Sequence, residues 1–177
     1  MSRVGVRIIL VNGPPGSGKS TVAGFVADAL GLPLIAKDTI KEALMDVIEV
    51  TDIETSQQLG RAAIETMWAL VAQARPGAVI DANLDRAFAI DRLRALDASV
   101  IEVFCRCPLE TALDRYRRRQ GVRHPGHLDA LRAADSFARA GGLEPVAGGW
   151  PVIEVDTDFP IDVEALVTRI LRETPAD

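Results

Sequence analysis

Residues 8 to 21 read Ile8-Ile9-Leu10-Val11-Asn12-Gly13-Pro14-Pro15-Gly16-Ser17-Gly18-Lys19-Ser20-Thr21, an apolar run that meets a complete G-x-x-x-x-G-K-[ST] pattern. A β-rich run before the pattern and a helical pattern after it are the context in which these residues bind phosphate. The glycines let successive backbone N–H groups turn inward around phosphate oxygens, and the following helix directs its positive end at the same anion. Gly13, Gly16, Ser17, Gly18, Lys19, Ser20 and Thr21 are therefore the expected nucleotide-binding residues. Lys19 neutralises the β- and γ-phosphates in this reading, and the Ser20 hydroxyl is a ligand for Mg²⁺.

Outward from this loop the chain alternates between buried strands and amphipathic helices. Val22, Phe25, Val26, Ala29 and Leu30 recur at helical spacing before Gly31. Leu32 to Ala36 reads as a strand, followed by a helix from about Thr39 to Val50 with Ile40, Ala43, Leu44, Val47 and Ile48 on one face. Thr55 or Ser56 is the expected cap of the next helix, whose stripe of Leu59, Ala63, Met67, Leu70 and Val71 ends at Pro76-Gly77. Ala78 to Asp81 is a third strand, Arg86 to Leu96 a helix and Ser99 to Cys105 a fourth strand. Pro108 opens a helix that runs into an arginine-dense segment; Gly121 to His127 breaks the pattern and Leu128 to Ala140 resumes it. Val152 to Val155 is the fifth strand, and Asp162 can cap a last helix carrying Val163, Leu166, Val167, Ile170 and Leu171. Five buried strands joined through helices imply a parallel sheet covered on both faces, with ligands at the carboxyl ends of the strands.

The 177 residues are expected to form one domain, 1–177, with a mobile lid at about 115–140. No run approaches the roughly 18 apolar residues of a membrane span, and no basic segment precedes a secretory apolar stretch, so a cytoplasmic protein with no membrane partner is the expectation. Cys105 and Cys107 alternate on one strand and point to opposite faces, which suits packing and not a mutual disulfide. Twenty-five acidic residues against twenty basic ones leave a charge of −5, which disfavours non-specific nucleic-acid binding. The three lysines, Lys19, Lys37 and Lys41, all lie near the phosphate loop.

Asp38, just past the second strand, sits where a carboxylate can accept or orient the proton of a hydroxyl attacking the γ-phosphate; equally, it can cap the helix that begins at Thr39. Lys41, one turn later, either stands beside Asp38 or is an exposed helix lysine. Asp81 ends a strand within Val79-Ile80-Asp81-Ala82-Asn83. It belongs either to the outer shell of Mg²⁺ or, with Asn83, to the substrate pocket, which would also include residues near Arg86. No second acidic residue follows Asp81, which weighs against an ATPase that activates water. Arg115, Arg119 and Arg123 stand out in the arginine-dense segment as groups able to stabilise charge on a transferring phosphoryl group. Arg117 reads as a solvated helix end. His124-Pro125-Gly126-His127 reads as a turn in the lid, and Trp68 as helix packing.

The loop at 13 to 21, Lys37-Asp38-Thr39-Ile40-Lys41, Ile80-Asp81-Ala82-Asn83-Leu84 and the arginine-rich segment to His127 together resemble small P-loop kinases across nearly the whole chain. The resemblance is closest to the polynucleotide 5′-hydroxyl kinase domain and to its small-molecule relatives, the gluconate, shikimate and chloramphenicol kinases. It implies a three-layer α/β/α fold with sheet order 2-3-1-4-5, ATP and Mg²⁺ as cofactors, Asp38 as base, and Arg115 with Arg119 or Arg123 over the phosphates. An adenine contact near Thr157-Asp158 is implied as well. Polynucleotide kinases carry an arginine one turn after the aspartate where this chain has Lys41. The expected activity is transfer of the γ-phosphate of ATP to a hydroxyl of a small molecule such as a metabolite, antibiotic or nucleoside-like compound. The alternatives are a polynucleotide 5′-hydroxyl kinase and a nucleotide-dependent switch or assembly ATPase.

Overall fold

In the computed structural model, residues 6–119, 122–127 and 144–173 are described. Five parallel strands form one sheet in the order β2-β3-β1-β4-β5. They are β1 (Val6–Asn12), β2 (Leu34–Ala36), β3 (Gly77–Asp81), β4 (Ala98–Arg106) and β5 (Val152–Asp156). The helices are α1 (Lys19–Leu30), α2 (Lys37–Met45), α3 (Ile53–Gln73), α4 (Arg86–Arg94), α5 (Leu109–Arg119) and α6 (Val163–Glu173), with a 3₁₀ turn at Pro125–His127. The α/β architecture and strand order are those the sequence implies.

Alternation along the strands divides the core between the two faces of the sheet. Ile8, Leu10, Ala78 and Ile80 meet Met67, Trp68 and Val71 of α3 and Ala89 and Leu93 of α4. Ile9, Val11, Val79, Ile101, Val103 and Ile153 meet Val22 and Val26 of α1 and Leu166 and Ile170 of α6. A parallel sheet buried on both sides needs apolar residues at consecutive positions, which Ile8 to Val11, all without exposure, supply. Trp68 packs edge-on against Phe88, as helix packing requires. Register places Val11 opposite Asp81 and Ala36 opposite Asp81, so the ends of β1, β2 and β3 are level.

Helix boundaries differ from the sequence expectation at α2, α3 and α4, the last ending at Arg94 and not at Leu96. The helix expected over Thr39 to Val50 begins at Lys37 and ends at Met45, and Val47 is 85% exposed. Its apolar period runs past the point where the chain must turn into α3. Asp52, not Thr55 or Ser56, caps α3: its Oδ1 accepts from the backbone N–H of Thr55 at 2.7 Å. Ser56 lies inside the helix and is wholly buried. Asp162 does cap α6, accepting from the backbone N–H of Ala165 at 2.9 Å. Cys105 is buried and Cys107 half-buried just past β4, both as free thiols. The helix expected over Leu128 to Ala140, and with it most of the lid at 115–140, lies outside the described residues. Among the described residues, no helix is long and apolar enough to cross a membrane.

Candidate active site

The phosphate loop is a left-handed excursion that its glycines make possible. Gly13 has φ +148° and Gly16 φ +79°. A side chain at Gly16 would strike the carbonyl of Ala112 in α5, and one at Gly13 would strike the carbonyl of Cys105 at the end of β4. The loop is therefore wedged between β4 and α5. Thr157, just after β5, fastens it from the side: its hydroxyl donates to the Ser17 carbonyl at 2.7 Å. Arg115 of α5 donates to the Thr157 carbonyl at 2.9 Å. Thr157 and Arg115 thus tie three elements around the loop.

Two cavities open here. One, of about 550 Å³, is lined by Gly16, Gly18, Lys19, Ser20, Thr21, Val22, Arg115, Arg118, Arg119, Thr157 and Ile161. The other, of about 220 Å³, is lined by Pro15, Gly16, Lys19, Ser20, Lys37, Asp38, Lys41, Asp81, Ala82, Asn83, Tyr116, Arg119, Arg123 and His127. They share a wall made of Gly16, Lys19, Ser20 and Arg119. The level strand ends explain the second lining: β2 delivers Asp38, β3 delivers Asp81 and Asn83, and β1 delivers the loop.

Electrostatics in the smaller cavity follow from burial against close charges. Burial pushes the Lys19 ammonium below its ordinary value, against the pull of the Asp81 and Asp38 carboxylates. Burial raises Asp81 despite a hydrogen bond from the Ser20 hydroxyl and the nearby Lys19 charge. Burial alone would raise Asp38 as well. Lys37, donating to its Oδ1 at 3.0 Å, and Arg123, donating to its Oδ2 at 2.6 Å, outweigh that and hold the carboxyl well below the usual carboxylate range. Asp38 lies in the first turn of α2, and the α2 cap is Ala36 with no side-chain bond, so Asp38 does not serve as the cap.

The lid arginines separate. Arg115 lines the larger cavity, Arg119 the wall between the two, and Arg123 sits in the smaller one on Asp38. Arg86 is exposed at the start of α4 and does not line the cleft. Lys41 is not an exposed helix lysine: it is 2% exposed, and its Nζ donates to Ser56 Oγ at 3.0 Å. Sequence reasoning missed His127, Glu42, Tyr116 and Arg118. His127 is in the expected turn, but buried, with Nε2 2.8 Å from Glu42 Oε1 and 3.4 Å from Arg123 Nη2. The available signal was Glu42 itself, one turn from Asp38 on the same face of α2. Among the described residues no cluster of metal-ligating side chains occurs.

His127 makes the turn pH-sensitive. Burial first, then the Arg123 charge, lower its pKa from 6.5, against the hydrogen bond to Glu42. The folded state thus prefers the neutral ring, while the unfolded chain takes up a proton near 6.5, so stability is fuller above that value and is lost as pH falls through it. Urea midpoints measured at about pH 7.5 and 5.5 should differ more in the native chain than in His127→Gln. Equal differences would show that His127 does not carry the dependence.

A five-stranded parallel sheet in this order, with the G-x-x-x-x-G-K-S loop between β1 and α1, defines a P-loop kinase fold. Residues 8–139 match the AAA domain family, and the chain belongs to it. It is 29% identical over 130 residues to a cytidylate kinase of Ignicoccus hospitalis, spanning 70% of this chain and 71% of the relative. The crystal structure of an inferred kinase from Chloroflexus aurantiacus is similar with a TM-score of 0.85 and 28% identity, covering 97% of this chain and 100% of that one. A sugar kinase from Janibacter is similar at a TM-score of 0.56 and 27% identity, with 94% and 93% covered.

Such a family implies ATP, usually with Mg²⁺. The residues fit both. Gly13 and Gly16 leave no room for a Cβ where the loop packs on β4 and α5, and the Ser20 hydroxyl, hydrogen-bonded to the Asp81 carboxylate, is a hard oxygen of the kind Mg²⁺ would accept, with Asp81 behind it.

Proposed function

We propose that the protein is an ATP- and Mg²⁺-dependent kinase that transfers the γ-phosphate to a hydroxyl of a small molecule. The observation that carries this reading is the shared wall of the two cavities. A nucleotide in the larger one would bring its terminal phosphate to Gly16, Lys19, Ser20 and Arg119, and the smaller one presents Asp38 across from that wall. The apolar side of the larger cavity, Val22, Ile161 and Thr157, suits a base, as expected for Thr157. The smaller cavity's 220 Å³ lies below the ~300–1,000 Å³ common for drug-sized ligands, which favours a compact acceptor. The side-chain oxygen of Asn83 is buried with no hydrogen-bond partner among the described residues, and a hydroxyl donor would satisfy it.

Mg²⁺ held by Ser20, with Asp81 behind it, would supply neutralisation of the phosphate oxygens. The chain's own residues would do the rest. Lys19 and the loop amides orient the γ-phosphate, Arg119 stabilises its charge, and Asp38 orients the acceptor hydroxyl and takes its proton. Arg119→Ala should slow transfer about a hundredfold with little change in ATP affinity. An unchanged rate would demote Arg119 to surface charge.

A second reading is a nucleotide acceptor, which the cytidylate kinase relative favours. A phosphate acceptor is already ionised and needs no base, whereas Asp38 stands where an alcohol needs one. A screen with labelled γ-phosphate over polyols, hydroxy acids, nucleosides, nucleoside monophosphates and 5′-hydroxyl oligonucleotides decides between them. Label on an alcohol oxygen of a small molecule supports the proposal; label only on oligonucleotides, only on nucleoside monophosphates, or only on water overturns it.

A further inference from the structure

Ser56 stands inside α3 with no exposed surface, and among the described residues lining the two cavities none belongs to α3. A serine within a helix ordinarily turns its hydroxyl to solvent or to the carbonyl one turn back. Here the single hydroxyl proton goes to the Gly126 carbonyl, seventy residues away, at 3.0 Å, and the same oxygen accepts from Lys41 Nζ at 3.0 Å. One hydroxyl therefore joins a cavity-lining lysine of α2 to the turn that carries Arg123.

The turn is also closely seated. A Cβ at Gly126 would come within 3.1 Å of Met45 Sδ and 3.2 Å of Val50 Cγ2, tighter than side chains normally pack. Along α2 and its C-cap an acid recurs every four residues, which puts all three on one helical face. Asp38 meets Arg123 at 2.6 Å, Glu42 meets His127 at 2.8 Å and Asp46 meets His124 at 3.4 Å. The Asp46 side chain is 71% exposed, so its pair contributes little. Glu42 and Ser56 are left as the anchors that line neither cavity.

We propose that Ser56 and Glu42 are positioning residues for transfer: from outside the cleft they seat the 122–127 turn, and Ser56 with that turn fixes Lys41 and Arg123 on the acceptor wall of the smaller cavity. Taking that cavity as the acceptor side rests on the kinase reading above. Lys41 and Arg123 end long, rotatable side chains, and a wall built from them keeps its shape only as far as partners beyond the wall restrain them. The nucleotide side is braced separately, by Thr157 on the Ser17 carbonyl and Arg115 on the Thr157 carbonyl. Loss of the seat should therefore disturb acceptor handling and spare nucleotide binding.

Ser56→Ala removes one oxygen and both bonds with it. The free chain gives the first readout, because His124 and His127 are its only histidines and their ring signals can be titrated by NMR. His127 faces Glu42, Asp38 and Lys41 of α2 and Arg123 of its own turn, and burial with the Arg123 charge keeps its pKa below 6.5. In Ser56→Ala it should move up toward 6.5. The Arg123 and His127 amides, bonded to the Arg119 and His124 carbonyls, should exchange at least about tenfold faster, with those of α1 unchanged. The second readout is kinetic: Mg·ADP affinity should stay within about twofold, and the KM of the compound labelled in the transfer screen should rise about tenfold. Glu42→Ala, which leaves the α3 core intact, should repeat the amide and KM changes. Unmoved His127 and amides, an unchanged acceptor KM, or equal losses of acceptor and nucleotide affinity overturns the proposal, the last by showing general loosening only. Label on nucleoside monophosphates alone fails the alcohol reading but not this one, whose KM arm then runs on that acceptor; label on water alone ends both.

Discussion

Asp38→Asn should bind Mg·ATP about as well as the native chain and lose phosphoryl transfer by about a thousandfold or more. The split follows from position. Asp38 lines only the smaller cavity, across the shared wall from the nucleotide side, so a nucleotide need not touch it. Asparagine keeps the shape and can still accept one hydrogen bond, but it takes no proton and gives Lys37 and Arg123 no countercharge. The lost charge also removes one carboxylate that supports the Lys19 ammonium, an effect on phosphate binding opposed by the removal of repulsion toward the phosphates themselves. Nucleotide affinity by titration, set beside initial rates on the acceptor found by the screen, checks the prediction. Parallel losses in both quantities would take Asp38 out of the proposed role, and an undiminished rate would end the proposed chemistry altogether.

The low proton affinity of Asp38 bears on that result. A carboxylate flanked by Lys37 and Arg123 is a weak base, and a base works best when its pKa is near the working pH. Transfer through a loose transition state asks mostly for orientation of the hydroxyl, which a charged carboxylate gives even when it is weakly basic.

Much of this site can be read along the chain because it follows strand ends. Asp38 and Asp81 are each recognisable as polar residues at the close of an apolar run, and a parallel sheet brings all such positions to one edge. Arg115, Arg119 and Arg123 resist the same treatment. Their spacing shows a shared helical face for the first two, but Arg123 follows the helix, and only the docking of Gly126 and His127 on α2 and α3 sends it to Asp38 instead of to the nucleotide side. Lys41 illustrates the opposite failure. Helical spacing from Asp38 is compatible with an exposed or a buried lysine, and the difference is made by Ser56, fifteen residues away on another helix. Arg86 looked close in sequence to Asn83, yet the start of α4 carries it to the surface.

Glu102 is the residue whose importance the chain conceals most fully, since a lone acid inside Val100-Ile101-Glu102-Val103-Phe104 reads as an ordinary interruption. It is completely buried in β4. Its Oε1 accepts from the Val146 backbone N–H at 2.8 Å and from Asn12 Nδ2 at 3.3 Å, and its Oε2 from the Ala147 backbone N–H at 2.9 Å and Trp150 Nε1 at 3.3 Å. Ala147 holds φ +46°, a conformation an alanine rarely keeps without such a restraint. Glu102→Leu matches the apolar surroundings but leaves four donors unanswered, two of them backbone amides that cannot move far. A buried donor left unpaired costs about 1–3 kcal/mol; with the Val146 and Asn12 donors buried and those of Ala147 and Trp150 partly buried, the loss after relaxation and water entry should be about 4 kcal/mol. That is a large share of the ~5–15 kcal/mol that holds a domain folded. Glu102→Gln retains one acceptor oxygen and should lose about half as much. Urea unfolding followed by tryptophan emission reads both, and Asn12, immediately before Gly13, links the same change to the phosphate loop, so ATP affinity should weaken in the leucine variant. A leucine variant within about 1 kcal/mol of the native chain would mean that water replaces the carboxylate at little cost and that the 144–150 segment stands without it.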